Sequence, residues 1–370
     1  MAVGGDAERR HGIILSKTEE AKRAGVKTGM ALWEARRMCP ELIILPPRFD
    51  RYLYFTREVQ KIYADYTDRR EPFGLDESWL DLTGCVAVRD GESAAQEIRR
   101  RVHRELGLTV SVGVSWNKVF AKLGSDYRKP DAVTSISREN YRELIWPLPA
   151  NELLFVGRAT SRRLAELGIR TIGDLAGADR ELLRLRLGKM GETLHDFACG
   201  GDNSAVRRAG DAPPPKSVGN GTTPPRDLRC REDAVPVLTS LSESVGRRLR
   251  GLGLLAGAVT LELRSAELEW RSHGMRLPHP TDCDMEIFAA AMELLSESHR
   301  WPQALRSVAV RAEELLPAAE PEQMDVFTDY EARAAHRRLD GAIDSLRRRF
   351  GRESGLRGAG FASRGMAAPP

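Results

Sequence analysis

Phe73-Gly74-Leu75-Asp76-Glu77-Ser78-Trp79-Leu80-Asp81 sets two adjacent carboxylates between two apolar runs. From Pro72 the apolar residues take strand-like spacing, first Phe73-Gly74-Leu75 and then Trp79 to Leu82 before Thr83-Gly84. Asp76 and Glu77 therefore fall where one apolar strand stops and the next begins. At a hairpin tip both side chains can converge on one ion, whereas in mid-strand they would point to opposite faces. Clustered carboxylates suit Mg²⁺, which prefers hard oxygen ligands and keeps room for substrate phosphates. Two such ions support in-line phosphoryl transfer. Taken alone, the stretch fits an exposed Asp-Glu turn equally well.

Downstream, Leu108–Val114 reads as an apolar strand, and 117–129 reads as a helix that brings Lys129 to a position just before Pro130. A cation held there can neutralise a triphosphate. A solvated helix end with lysines near its C-terminus is the alternative. Upstream, Met1-Ala2-Val3 enters a Gly4-Gly5 turn as a short strand. Ala31, Leu32, Ala35 and Met38 follow helical spacing until Pro40, and Leu42–Leu45 is a compact apolar strand. Phe49, Tyr52, Phe55, Val59, Ile62 and Tyr63 repeat at three and four, the mark of an amphipathic helix. With a further helix at about 92–106, the order suggests an α+β unit with helices on one face of a sheet.

Residues 141–206 are helical and punctuated by glycine, and 208–216 form a proline-rich linker. After it the pattern runs strand (217–223), helix (231–250), strands (256–264 and 268–277), helix (282–296) and strand (304–313). That is a separate βαββαβ domain. A tail over 318–370 holds one basic helix, with an apolar stripe of Leu339, Ile343, Leu346 and Phe350.

The 370 residues call for two to four domains rather than one core. With 41% hydrophobic and 30% charged residues the chain is a soluble globular one, and a net charge of +4 does not diagnose nucleic-acid binding. Five scattered cysteines form no C-x-x-C pair, which suits a reducing compartment and argues against a zinc site or disulfide framework. Neither a membrane span nor a signal peptide is visible, so a bacterial-type cytoplasmic protein is expected.

Taken together, G-L-D-E-S-W-L-D, S-V-G-V-S-W-N-K-V-F-A-K-L, R-K-P-D and A-G-V-K-T-G-M-A-L-W-E-A-R-R-M-C-P closely resemble the Y-family DNA polymerases, in particular the bacterial DNA polymerase IV group. The resemblance implies an α+β multidomain, right-hand polymerase: fingers at 1–48 with a remnant of the palm, palm at 49–137, helix-hairpin-helix thumb at 138–207, linker at 208–216, little finger at 217–317 and tail at 318–370. It implies lesion-bypass DNA synthesis with two Mg²⁺ ions per site. Asp76 becomes a metal ligand and Glu77 the catalytic carboxylate that binds metal near the primer 3′-hydroxyl. Lys129 contacts the incoming deoxynucleoside triphosphate, joined by Ser16 and Lys22 of a fingers helix, with Lys17 able to share that role.

At 149–176 the chain resembles a helix-hairpin-helix whose Val156-Gly157 turn aims backbone N–H groups at a phosphate of the primer–template DNA, with Phe155-Val156 in place of the usual proline. A plain helical pair is the alternative there. In the little finger Arg306, and with it Arg311, is placed near DNA, while Val308 and Val310 go to the core. Gln323-Met324-Asp325-Val326-Phe327 resembles the peptide that grips the β sliding clamp, with Gln323 hydrogen-bonding and Met324, Val326 and Phe327 filling apolar pockets. A monomer is expected.

Y-family palms begin with a strand carrying a metal-binding Asp, followed by an aromatic residue that excludes ribonucleotides. The resemblance places both upstream of Met1, and Asp6, in a turn, does not replace that Asp. A start codon assigned too late is the preferred explanation, because removing a core palm strand leaves unpaired backbone and apolar surface. Relatives commonly have valine at Met1, and a GTG codon is easily read as a start. The rival explanation is a catalytically silent DNA- and clamp-binding paralogue, which retained Asp76, Glu77 and Lys129 oppose. A metal-dependent nuclease is a third reading, opposed by the triphosphate lysines and the thumb.

Overall fold

The computed structural model describes residues 1–6, 12–85, 90–319, 324–351 and 354–355. The chain divides into two compact units, Met1–Pro47 with Pro214–Pro370, and Arg48–Pro213.

In the N-terminal segment β1 (Ala2–Gly4) is central, with β2 (Ile14–Lys17) antiparallel to it. Thr18 caps α1 (Glu19–Arg23) by accepting from the Ala21 N–H. Next comes α2 (Leu32–Met38), which ends before Pro40 as its sequence requires. Ile44–Leu45 forms β3, parallel to β1 and shorter than the expected strand over 42–45. Ala2, Ile14, Ala21, Val26, Leu32, Ala35 and Leu42 make the small core beneath.

The second unit opens with α3 (Phe49–Ala64), then an antiparallel hairpin of β4 (Arg70–Phe73) and β5 (Glu77–Leu80). After α4 (Gly91–Leu106), β6 (Val112–Val114) pairs in parallel with β7 (Val133–Ser135) across the helix α5 (Lys118–Tyr127). Among the described residues these are two separate ladders rather than one sheet. The strand expected over 108–114 is paired only from Val112, where Val133 first comes alongside.

Gly113 sets the position of α5. A Cβ there would lie 1.9 Å from the Ala121 carbonyl oxygen, so helix and strand touch backbone to backbone. The opposite face of α5 is apolar: Val119, Phe120 and Leu123 share a core with Leu164, Ile172, Leu183 and Leu194. Those leucines and isoleucine belong to α7 (Arg158–Glu166), α8 (Ile172–Gly177), α9 (Arg180–Leu187) and α10 (Lys189–Ala198), which follow the short α6 (Tyr141–Ile145). The last carbonyls of this bundle are satisfied by side chains, Trp146 Nε1 on Ala198 O (3.2 Å) and Asn117 Nδ2 on Gly200 O (3.1 Å).

The C-terminal segment of the first unit has the expected βαββαβ order: β8 (Val218–Thr222), α11 (Arg231–Leu252), β9 (Leu254–Ser265), β10 (Trp270–Thr281), α12 (Asp284–Ser298) and β11 (Leu305–Pro317). The sheet order is β10-β9-β11-β8, all antiparallel. Val259, Leu261, Val308 and Val310 turn inward against Leu238, Val245 and Ile287 of the two helices. A final helix, α13 (Tyr330–Phe350), docks by charge: Arg333 on Glu286 (2.8 Å), Arg337 on Asp282 (2.7 Å), Asp344 on Arg250 (2.7 Å) and Arg347 on Glu243 (2.8 Å). Leu339, Leu346 and Phe350 of its apolar stripe are exposed.

Candidate active site

The β4–β5 hairpin is closed by Gly74, Leu75 and Asp76, with Phe73 opposite Glu77. Gly74 takes φ +80°, a conformation that favours glycine, and this lets so short a connection close. Asp76 is exposed at the tip and Glu77, the first residue of β5, is half-buried. The carboxylates thus stand at the tip, as the sequence pattern predicts.

Three elements hold the hairpin. The Thr56 hydroxyl of α3 lies 2.5 Å from the Leu75 carbonyl oxygen. On the α5 side the Trp79 indole N–H donates to the Lys118 carbonyl (3.0 Å), and the Lys118 ammonium sits over the indole ring. Lys118 also reaches the buried Glu71 of β4 at 2.5 Å. Arg207 adds both a guanidinium contact (2.9 Å) and its backbone N–H (3.0 Å) to the same carboxylate. Burial pushes the Glu71 carboxyl up, but these donors outweigh it and hold it below the usual range.

One turn further along α5, Lys122 lies 3.1 Å from Glu77 Oε1 and 2.5 Å from Asp126. Asp126 in turn pairs with Lys129 at 2.6 Å. Glu77, Lys122, Asp126 and Lys129 thus form a line of alternating charge. Burial pulls the Lys122 ammonium down, and the Asp126 and Glu77 carboxylates outweigh it to leave the group above its ordinary value. Burial pushes Asp126 up, yet Lys122 and Lys129 hold it below the usual range.

Lys129 does not end the helix as expected. The helix α5 stops at Tyr127, and Lys129 follows on the exposed turn, because the residue before a proline is disfavoured in helical conformation. That turn is fixed by Arg99 of α4, which bonds the Asp131 carbonyl (2.9 Å) and carboxylate (3.0 Å).

Asp76 and Glu77 offer a hard, all-oxygen donor set with one member open to solvent, which fits Mg²⁺ better than a soft metal. Among the described residues no group of three His, Cys, Asp or Glu side chains converges as a metal site.

The structure brings together Asp76, Glu77 and, through Asp126, Lys129. Ser16 and Lys22 belong to the other unit. Ser16 corrects the sequence reading: it lies exposed on strand β2, not on the helix, since the helix begins only after the Thr18 cap. Lys22 does lie on α1, exposed and 3.4 Å from Glu19. Lys17 donates to the Thr28 hydroxyl (3.1 Å). Sequence reasoning missed Lys122, Asp126, Lys118 and Glu71. The i,i+4 spacing of Lys122 and Asp126 was the available signal.

Gly157 is the N-cap of α7, exposed and without a side-chain cap, and the first turn carries no acidic residue. Its N–H groups are thus open to an anion. The segment before it carries a 3-10 turn, Ala150–Glu152. Arg306 is half-buried at the start of β11, while Arg311 is engaged by Glu262 across the sheet. Gln323 lies outside the described residues. Met324, Val326 and Phe327 are 66%, 92% and 95% exposed. Asp325 between them bonds the Phe327 N–H (2.7 Å) and contacts His279 at 2.6 Å.

Residues 1–126 match the impB/mucB/samB family, 152–202 the DNA polymerase-iota thumb domain and 215–326 the impB/mucB/samB family C-terminal domain. DNA polymerase IV of Acetivibrio thermocellus is 43% identical over 99% of this chain and 92% of its own length. The DNA polymerase IV of Moorella thermoacetica is 40% identical over 97% of this chain and 90% of its own. Among solved structures, a Y-family DNA polymerase chimera, Dbh-Dpo4(243-245)-Dbh, superposes with a TM-score of 0.73 at 23% identity, covering 86% of this chain and 92% of the other. DinB from Sulfolobus solfataricus gives 0.55 at 24% identity over 84% and 90% of the two chains. These two likenesses are of fold.

Proposed function

Since the chain belongs to the DNA polymerase IV group of Y-family polymerases, we propose that Asp76 and Glu77 are its catalytic, metal-binding carboxylates. The architecture is the right-hand polymerase fold with a helical thumb, and the function is translesion DNA synthesis, a divalent-metal-dependent nucleotidyl transfer onto a primer. The observation that carries the assignment is the pair's place at the hairpin tip, with Glu77 held by Lys122 and the charge line ending at Lys129. Two Mg²⁺ ions, once bound, supply neutralising charge at the attacking and leaving oxygens of an in-line displacement. Glu77 serves the primer 3′-hydroxyl side, and Lys129, exposed beyond α5, neutralises the incoming triphosphate.

Substituting Asp76→Ala or Glu77→Ala in the full-length protein tests this. Primer extension should fall by about a thousandfold or more, the scale of removing a group that stabilises transition-state charge, with primer–template affinity retained. Unchanged extension would remove both residues from the mechanism.

The remaining assignments follow the family. Fingers are proposed over 1–48, palm 49–137, thumb 138–207, linker 208–216 and little finger 217–317. Ser16 and Lys22 bind the nucleotide; the Lys22–Glu19 pair is solvent-exposed and so only a weak competitor. Gly157 and Arg306 hold DNA phosphates, and Gln323, Met324, Val326 and Phe327 dock on the β sliding clamp. The three apolar members stand in solvent, as a peptide awaiting a partner would. The enzyme acts as a cytoplasmic monomer. No helix among the described residues is long and apolar enough to cross a membrane.

A further inference from the structure

We infer that Lys122 is a positioning residue that keeps Lys129 free for the nucleotide by sharing Asp126 with it. The inference rests on the reading of Lys129 as a triphosphate ligand. Lys122 contacts two carboxylates at once, Glu77 at 3.1 Å and Asp126 at 2.5 Å. Asp126 also meets Lys129 at 2.6 Å, through its other oxygen. One carboxylate therefore serves two ammonium groups. Divided in this way it restrains Lys129 without cancelling its charge, and it passes the restraint on to the hairpin through Lys122 and Glu77.

Burial makes the sharing effective. The Lys122 side chain is 17% exposed against 49% for Lys129, so Lys122 is the fixed member and Lys129 the one able to leave. Both lie on or just after α5, whose position Gly113 sets by direct backbone contact with Ala121. Neighbouring Lys118 repeats the arrangement one turn earlier, on Glu71 of β4. Two lysines at i,i+4 thereby fasten both hairpin strands to a single helix face.

Without Lys122, the whole Asp126 charge falls to Lys129, and the incoming triphosphate must compete with it. The test is equilibrium binding of a deoxynucleoside triphosphate to the full-length enzyme on primer–template, with Ca²⁺ as the supporting ion to withhold chemistry. Lys122→Met should weaken nucleotide affinity about tenfold, the size of one charge-assisted contact. Asp126→Asn added to it should restore most of that loss, since the competing carboxylate is gone. A purely structural Lys122 gives no such rescue, because the second substitution removes one more contact from α5.

Lys129→Ala separates the two levels. If it leaves nucleotide affinity unchanged, the assignment of Lys129 fails. If Lys129→Ala weakens binding while Lys122→Met does not, or the double variant is as weak as Lys122→Met alone, Lys122 does not position Lys129.

Discussion

The β4–β5 hairpin and the C-terminal βαββαβ segment are built on opposite principles. Behind the hairpin the buried apolar cluster among the described residues consists of Ile62, Ile98 and Val102, with a few half-buried neighbours. What fixes the hairpin itself is polar: Lys118 on Glu71, Lys122 on Glu77 and Arg207 on Glu71, with the Trp79 indole on the Lys118 carbonyl and the Thr56 hydroxyl on the Leu75 carbonyl. The C-terminal sheet instead rests on a continuous layer of Val259, Leu261, Val308, Val310, Leu238, Val245 and Ile287. Apolar burial is non-directional and tolerant, whereas ion pairs fix particular atoms at particular distances. The C-terminal segment is therefore robust, and the hairpin, whose carboxylates are held in register by ion pairs, is exact and more fragile.

Substitutions in each region should have different consequences. The largest expected loss of stability is Leu261→Ala, which empties a fully buried site in the sheet core and should cost about 3 kcal/mol by chemical denaturation. Nucleotide incorporation per folded molecule should not change. A matching fall in incorporation would mean that the two regions are not separable in this way.

Next in size is Lys118→Met. Glu71, 7% exposed, would keep Arg207 but lose its shortest partner, for a loss of about 1–2 kcal/mol. Unlike Leu261→Ala, it should also slow primer extension by loosening β4. Full activity would show that the hairpin needs no such fastening.

Acid should act on the two regions unequally. Asp126 and Glu71 both titrate below their ordinary values of 3.8 and 4.5. A depressed carboxyl contributes stability that is complete above its unfolded value and is lost as pH falls through the folded one. Below pH about 4 the hairpin and α5 should therefore gain hydrogen exchange ahead of β9 and β11. Simultaneous loosening would contradict the charge-held picture.

The smallest effect is Arg306→Ala. If it removes one phosphate contact, the slope of log affinity for primer–template against log salt should fall by about 0.9, with little change in stability. An unchanged slope would take Arg306 off the DNA.

Much of this was legible along the chain because it is local. The βαββαβ order follows from alternation and helical spacing, and the carboxylates sit at a strand boundary that Phe73, Leu75 and Trp79 announce. The Glu77–Lys122 contact was not legible, because it depends on how Gly113 seats α5 on β6. Ser16 was misplaced because a strand as short as Ile14–Lys17 leaves little periodicity to read. The docking face of α13 was not legible from periodicity either. Leu339, Leu346 and Phe350 of its apolar stripe stay exposed while Arg333, Arg337, Asp344 and Arg347 dock, since the surface it meets offers Glu286, Asp282, Arg250 and Glu243.

If Asp76 and Glu77 hold the divalent ion, it binds at the hairpin tip. Fe²⁺ substituted for Mg²⁺ in the full-length enzyme on primer–template, with peroxide and ascorbate, cuts the polypeptide beside the bound ion. Scission is expected around residues 74–78 and should be abolished by Asp76→Ala with Glu77→Ala. Scission elsewhere that survives the double substitution would contradict that placement.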